Sequence, residues 1–218
     1  MSIMNKYKHY FSQPAFIGSF IFSFVLLAVS LIINFYAGTY ATEVASNPVS
    51  DIILNNIRVF DVDGLFIYGP IIFWFVAGPM LIARPWRIPF TLKSISLFVF
   101  IRSIFITLTH LGLPIDHIAV PASNILDKIS FGDDLFFSGH TGLPFLLALI
   151  FWDYKVWRYF FFAASLFFAA IVLMGHLHYS IDVLGAYFIT YTIYHMCLRT
   201  FKKDKVVFDN GHRTSLPI

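Results

Sequence analysis

Charge is what this sequence lacks most. Only 12% of its 218 residues are Asp, Glu, Lys or Arg, about half the 25% usual in soluble domains. Hydrophobic residues make up 58%, and mean hydropathy is +0.76. A soluble domain of this size still exposes about a quarter to a third of its unfolded surface, and this composition cannot solvate that much. A soluble globular enzyme, a disordered chain and a nucleic-acid binder are therefore excluded. Cysteine is almost missing too. Cys197 stands alone, which rules out an intramolecular disulfide and leaves the redox compartment unread. Internal repeats and low-complexity tracts are also absent, so residues 1–218 read as one integral membrane domain.

What is present suits a bilayer. Aromatics reach 19%, with 27 Phe, 11 Tyr and 4 Trp, as expected for lipid-facing surfaces and interfacial belts. A span needs about 20 apolar residues, and six runs approach that length: 15–34, 65–83, 94–113, 135–152, 159–174 and 179–198, with a cytoplasmic tail over 199–218. The first is too long for a signal-peptide core and reads as a retained span. Gly69-Pro70 and Gly78-Pro79 should bend the second. The expectation is an all-α membrane protein, a bundle of six transmembrane helices.

Charge placement supports that count. With six spans, one side of the membrane holds twelve basic residues (Lys6, Lys8, Arg84, Arg87, Lys93, Lys155, Arg158, Arg199, Lys202, Lys203, Lys205 and Arg213) and the other only Arg58 and Lys128. The positive-inside rule then puts both termini in the cytoplasm. Eight of the twelve acidic residues, Glu43 to Asp134, fall on the opposite side. The outer connection 38–64 should include a short surface helix near Ser50 to Phe60, capped by Asp51. Its apolar residues lie either on the membrane surface or against the bundle.

Ionisable groups within spans are costly and mark function. Arg102, His140, His178 and Asp182 stand out. His178 and Asp182 are four residues apart, on one helix face, where a carboxylate orients an imidazole. By parity, the fourth and sixth spans both enter from the outer side, so His140, His178 and Asp182 share one depth. Two histidines and a carboxylate fit covalent phosphoryl transfer: His178 attacks phosphorus, Asp182 holds it, and His140 protonates the leaving alkoxide. Ser138 and Gly139, at a helix N-terminus, offer backbone donors to an anion. Arg102 lies 11 residues from the outer end of its run, about 16 Å at the helical rise, so it contacts phosphate or braces the bundle. No metal or other cofactor is implied: His176 and His178 diverge on a helix and lack further ligands.

The segment Asp134-Leu135-Phe136-Phe137-Ser138-Gly139-His140-Thr141 resembles the Asp-x-x-x-Ser-Gly-His-Thr signature of sphingomyelin synthases, within the type 2 phosphatidic acid phosphatase superfamily. His178 through Asp182-Val183 and Ala186-Tyr187 to Tyr194-His195 resembles that family's last motif. Arg102 through Thr107 to Pro114 is more loosely similar to its arginine–threonine–proline motif. The resemblance spans residues 95–197. It implies a six-span enzyme with an outward-facing (extracytoplasmic or luminal) site. Such an enzyme moves a phospho-alcohol headgroup from a glycerophospholipid to a ceramide, or releases it, through a phosphohistidine. It also implies His178 as nucleophile, Asp182 as its partner, His140 as acid–base, and a matching Asp134 near the substrate. Asp133 stands where the family usually has glycine, and the arginine-to-proline stretch is about two residues long. Both departures leave the acceptor lipid open.

A type 2 lipid phosphate phosphatase, acting on a monoester such as phosphatidate, is the alternative. That branch places a lysine seven residues before the arginine of its Arg-Pro pair and an arginine six before the nucleophile. Here Ala77 and Val172 occupy those positions. A dianionic monoester needs more cations than the outer side carries. A non-catalytic membrane scaffold is a further alternative. Lipids and the bilayer are the partners expected, and nothing in the sequence sets an oligomeric state.

Overall fold

Where water is missing, backbone polar groups must bond one another, and a helix does so within a single segment. The computed structural model describes residues 2–117 and 136–211, which form helices and connections with no strand among them. Helix α1 is Ile3–Phe11, capped by the Ser2 side chain. Helix α2 is Pro14–Glu43, with proline in the first turn, where its missing N–H costs nothing. Then come α3 (Asp63–Ile82), α4 (Ile88–Leu108), α5 (Gly139–Ile150), α6 (Lys155–Met174), α7 (Ser180–Thr200) and α8 (Lys202–Asn210). Single 3-10 turns occur at Leu54–Asn56 and Pro85–Arg87.

Among the described residues five helices are long and apolar enough to cross a bilayer: α2, α3, α4 with its preceding turn, α6 and α7. The fourth expected run, 135–152, behaves differently. Its helix α5 has 12 residues, about 18 Å at 1.5 Å per residue against a hydrocarbon core of about 30 Å. Even so, α5 joins the two ends of the bundle. Its first turn is tied to the start of α7, where the Ser138 N–H donates to Asp182 O at 3.2 Å. Beyond its last turn, Phe151 meets Phe208 of α8 with ring centroids 5.2 Å apart. Most of α5 is buried, so protein rather than lipid encloses its short path.

Helices α1 and α8 gather at one end of the bundle. Tyr10 of α1 packs on Trp86 at 5.5 Å, and Phe208 of α8 packs on Phe90 at 5.8 Å. The expected tail therefore begins as ordered helix, with Phe208 fully buried. Phe90, Phe98, Phe137, Leu146, Phe161 and Ala186 build the main core. Around it, α2 presents Ile21, Phe24, Val25, Ile32 and Phe35 outward, a surface for hydrocarbon. Close approach requires glycine at one crossing: a Cβ on Gly142 would lie 2.8 Å from two Phe98 ring carbons and 2.9 Å from Thr190 Oγ1. There α4, α5 and α7 meet.

Two expectations change at the far end. The surface helix near 50–60 does not form; only the turn Leu54–Asn56 is helical. Its backbone is drawn onto the bundle instead: the Phe60 N–H donates to Met174 O at 2.9 Å, and Leu54 is buried on Tyr179. Helix α4 begins at Ile88 and stops at Leu108, because Thr109 turns extended and the Ser46 N–H donates to His110 O at 2.8 Å. Arg102 thus lies six residues from the helix end, about 9 Å, not 16 Å.

Candidate active site

Ser138 caps α5, its Oγ accepting the Thr141 N–H at 3.4 Å, and His140 follows in the first turn. Between α6 and α7 the chain reverses in five residues. His176 makes that possible with φ 53°, a left-handed conformation uncommon outside glycine and asparagine. The reversal delivers His178 to the residue before the N-cap Tyr179 and Asp182 to the first turn of α7. The Tyr179 N–H donates to Asp182 Oδ2 at 2.9 Å, so Asp182 caps its own helix.

The bond from Ser138 N–H to Asp182 O locks the two histidine motifs at one level. His178 Nδ1 stands 3.4 Å from Asp182 Oδ2, an ion-pair distance whose angle does not make a hydrogen bond. His178 and Arg102 are both close enough to act electrostatically on His140. The His140 ring stacks on Phe66 at 4.3 Å and meets Phe168 edge-on at 5.9 Å. His140, His178 and Asp182 are 7%, 4% and 0% exposed, so the site is enclosed.

Arg102 is fully buried and its Nε donates to Phe137 O at 2.9 Å. It braces the residue just before Ser138. Gly139 begins α5 with an amide that no hydrogen bond among the described residues uses. Ser138, by contrast, has committed its N–H to Asp182. Asp134 lies outside the described residues. Among those residues no group of three His, Cys, Asp or Glu side chains is arranged to hold a metal ion.

Three further residues have parts here that sequence reasoning missed. Asp51 is 8% exposed and accepts four hydrogen bonds. Oδ2 takes the Ser180 N–H and O–H, each at 2.7 Å. Oδ1 takes the Ile53 and Leu54 N–H groups at 2.8 and 3.1 Å. Burial pushes this carboxyl up, but its hydrogen bonds outweigh that and hold it below the usual range. Tyr179 donates its O–H to Gly112 O at 2.8 Å and accepts the Val49 N–H at 3.1 Å. Together they fasten the segment before α3 and the residues just after α4 to the start of α7. Phe66 forms the third contact, the face against His140. The cap at Asp51 was visible in Ser50-Asp51; its partner Ser180, 129 residues on, was not.

The bundle is that of a helical, multi-pass membrane protein, with two histidines and a carboxylate enclosed at one end. Residues 132–199 match the family model described as PAP2 superfamily C-terminal, the stretch that carries α5 to α7 and all three residues. That match supports the PAP2 superfamily, whose members are phosphatases and phosphotransferases. No curated protein and no solved structure matches the chain.

Proposed function

We propose that the protein is a lipid phosphotransferase of the sphingomyelin synthase-like kind, taking a phospho-alcohol headgroup from a glycerophospholipid to a ceramide or similar lipid alcohol. The observation that supports this most is the bond from Ser138 N–H to Asp182 O, which sets an acid–base histidine and a nucleophile with its carboxylate at one depth.

His178 turns Nδ1 toward Asp182, leaving Nε2 to attack phosphorus. The Nε2–P bond forms as the bond from phosphorus to the diacylglycerol oxygen breaks, and protonated His140 gives that oxygen its proton. Asp182 stabilises the positive imidazole. The acceptor hydroxyl then loses its proton to His140 and attacks phosphorus, restoring His178. Gly139 N–H at the α5 N-terminus faces the phosphate oxygens. Arg102 acts one step back, through the Phe137 carbonyl. A diester monoanion suits a site whose nearby arginine is already engaged. The twelve-to-two basic asymmetry puts the termini in the cytoplasm and the site on the extracytoplasmic or luminal side.

The test incubates purified protein with phosphatidylcholine, phosphatidylethanolamine or phosphatidate, with and without ceramide. Headgroup transfer is expected from the diesters; inorganic phosphate as the only phosphorus product rejects the proposal in favour of the monoesterase reading. His178→Ala abolishes transfer and release, and labelled donor leaves an acid-labile adduct on the wild type. For orientation, Asn55→Cys reacts with an impermeant thiol reagent from outside, and Asp209→Cys only after permeabilisation.

A further inference from the structure

The end of the bundle where α1 and α8 lie contains a cavity of about 460 Å³, well within the range of small-molecule sites. We propose that it binds the phosphate-bearing headgroup of an anionic glycerophospholipid.

Its floor is aromatic, from Tyr10, Phe16 and Trp86, and its charged wall is Lys93, Lys203 and Asp204. Lys93 is 6% exposed. Its ammonium donates to Asp204 Oδ2 and to Ser19 Oγ, each at 2.7 Å, while Ser19 donates its O–H to the other oxygen of Asp204. An ammonium has three protons to donate. Beyond these two bonds its ring neighbours are Phe22 and Phe201, at 5.2 and 5.9 Å, so the third proton is not committed to another oxygen among the described residues. Two lysines against one carboxylate leave a net charge of +1, which a phosphodiester monoanion neutralises. Lys6 adds positive potential nearby, with its ammonium 5.5 Å from the centre of the Trp86 ring.

Position selects a lipid over a soluble anion. Lys93 lies one turn into α4, whose 21 residues rise about 30 Å to the end where the histidines lie. The cavity therefore sits at the opposite face of the bilayer, at headgroup depth, in the other leaflet. Val206 and Val207, both exposed, line it as well and lead apolar surface away from the charged wall for the acyl chains. The site is separate from the histidines and independent of the reaction proposed for them.

The experiment follows thermal unfolding of the purified full chain in detergent, titrated with phosphatidylglycerol, phosphatidylcholine or inorganic phosphate. Phosphatidylglycerol should raise the midpoint saturably, and the other two should not. Lys203→Gln should weaken the apparent affinity about fivefold, from about 1 kcal/mol per lysine near a lipid surface. Lys93→Gln combined with Asp204→Asn removes the pair without stranding a buried charge and should abolish the shift. Lys202→Gln, outside the cavity, should leave it intact. Equal stabilisation by phosphatidylcholine, reproduction of the shift by phosphate alone, or equal losses in the Lys202 and Lys203 variants would each overturn the proposal. Should the double variant fail to fold, the Lys202 and Lys203 comparison decides.

Discussion

Replacing Asp51 with alanine strikes the joint between the segment before α3 and the first turn of α7. The carboxylate accepts four hydrogen bonds, two from Ser180 and one each from Ile53 and Leu54, at 2.7 to 3.1 Å. A typical hydrogen bond contributes about 1 kcal/mol net, more when one partner is charged. Some donors regain water when the loop loosens, so the loss should be about 3 kcal/mol. For a chain of this size that lowers the midpoint by about 6–12 °C. Asp51→Asn keeps the shape and an acceptor oxygen but loses the charge, and should cost about half as much. Its pH dependence carries a sign. The folded pKa is depressed, so the carboxylate's extra stability is fully present above its unfolded value, near 3.9. It is lost as pH falls through the lower folded value. The gap between wild type and Asp51→Asn should hold from neutral pH down to about 5 and close in stronger acid. Intrinsic tryptophan fluorescence during heating, in fixed detergent, reads both effects. A midpoint for Asp51→Ala within about 1 °C of wild type would refute the clamp, and a gap that widens in acid would refute the assigned charge.

Three other substitutions separate packing from chemistry. Gly142→Ala drives a methyl into the Phe98 ring and Thr190 Oγ1, at 2.8–2.9 Å; overpacking of this kind costs about 1–3 kcal/mol, seen as a lower unfolding midpoint. Arg102→Lys keeps a buried charge but loses the Nε bond to Phe137 O. Headgroup transfer should fall about tenfold in kcat with KM little changed, a charged hydrogen bond's worth. Asp182→Asn keeps an oxygen for the Tyr179 N–H but removes the charge facing His178. Transfer should drop by about 10²–10⁴ while the unfolding midpoint barely moves, and unchanged turnover would mean that Asp182 only caps α7.

How much was legible in the sequence depends on the range of each signal. The four-residue spacing of His178 and Asp182 flags the pair, but the two do not share a helix face: His178 lies before the N-cap Tyr179, and the capping turn brings Asp182 Oδ2 to 3.4 Å from its Nδ1. The shared depth of His140 follows from counting membrane crossings, and the Ser138–Asp182 bond gives that depth a structural basis. Long-range fastening has no such periodicity. Nothing in Ser50-Asp51 names Ser180, and nothing in Phe66, one of 27 phenylalanines, marks it as the ring that stacks on His140. Arg102 was misplaced for a related reason. Hydropathy continues past Leu108, but pairing between Ser46 and His110 ends the helix there, and that pairing belongs to the fold.

The short helix α5 is where the equal-span reading fails and where the site gains its character. A span of about 20 residues would lift its N-terminus into the headgroup layer, where water competes for every donor. With 12 residues, α5 starts at Gly139, and its whole first turn is buried. Gly139 N–H and the two imidazoles then act in a low dielectric, where each electrostatic contact with a phosphate strengthens. In the proposed reaction, enclosure also keeps water from the phosphohistidine until an acceptor arrives, which favours transfer over hydrolysis. The Asp51–Ser180 and Tyr179–Gly112 bonds maintain that enclosure. Loosening them in Asp51→Ala should therefore shift products from transfer toward released phospho-alcohol, measurable as a changed ratio at equal donor consumption. A constant ratio across a destabilised clamp would show that enclosure does not decide between transfer and release.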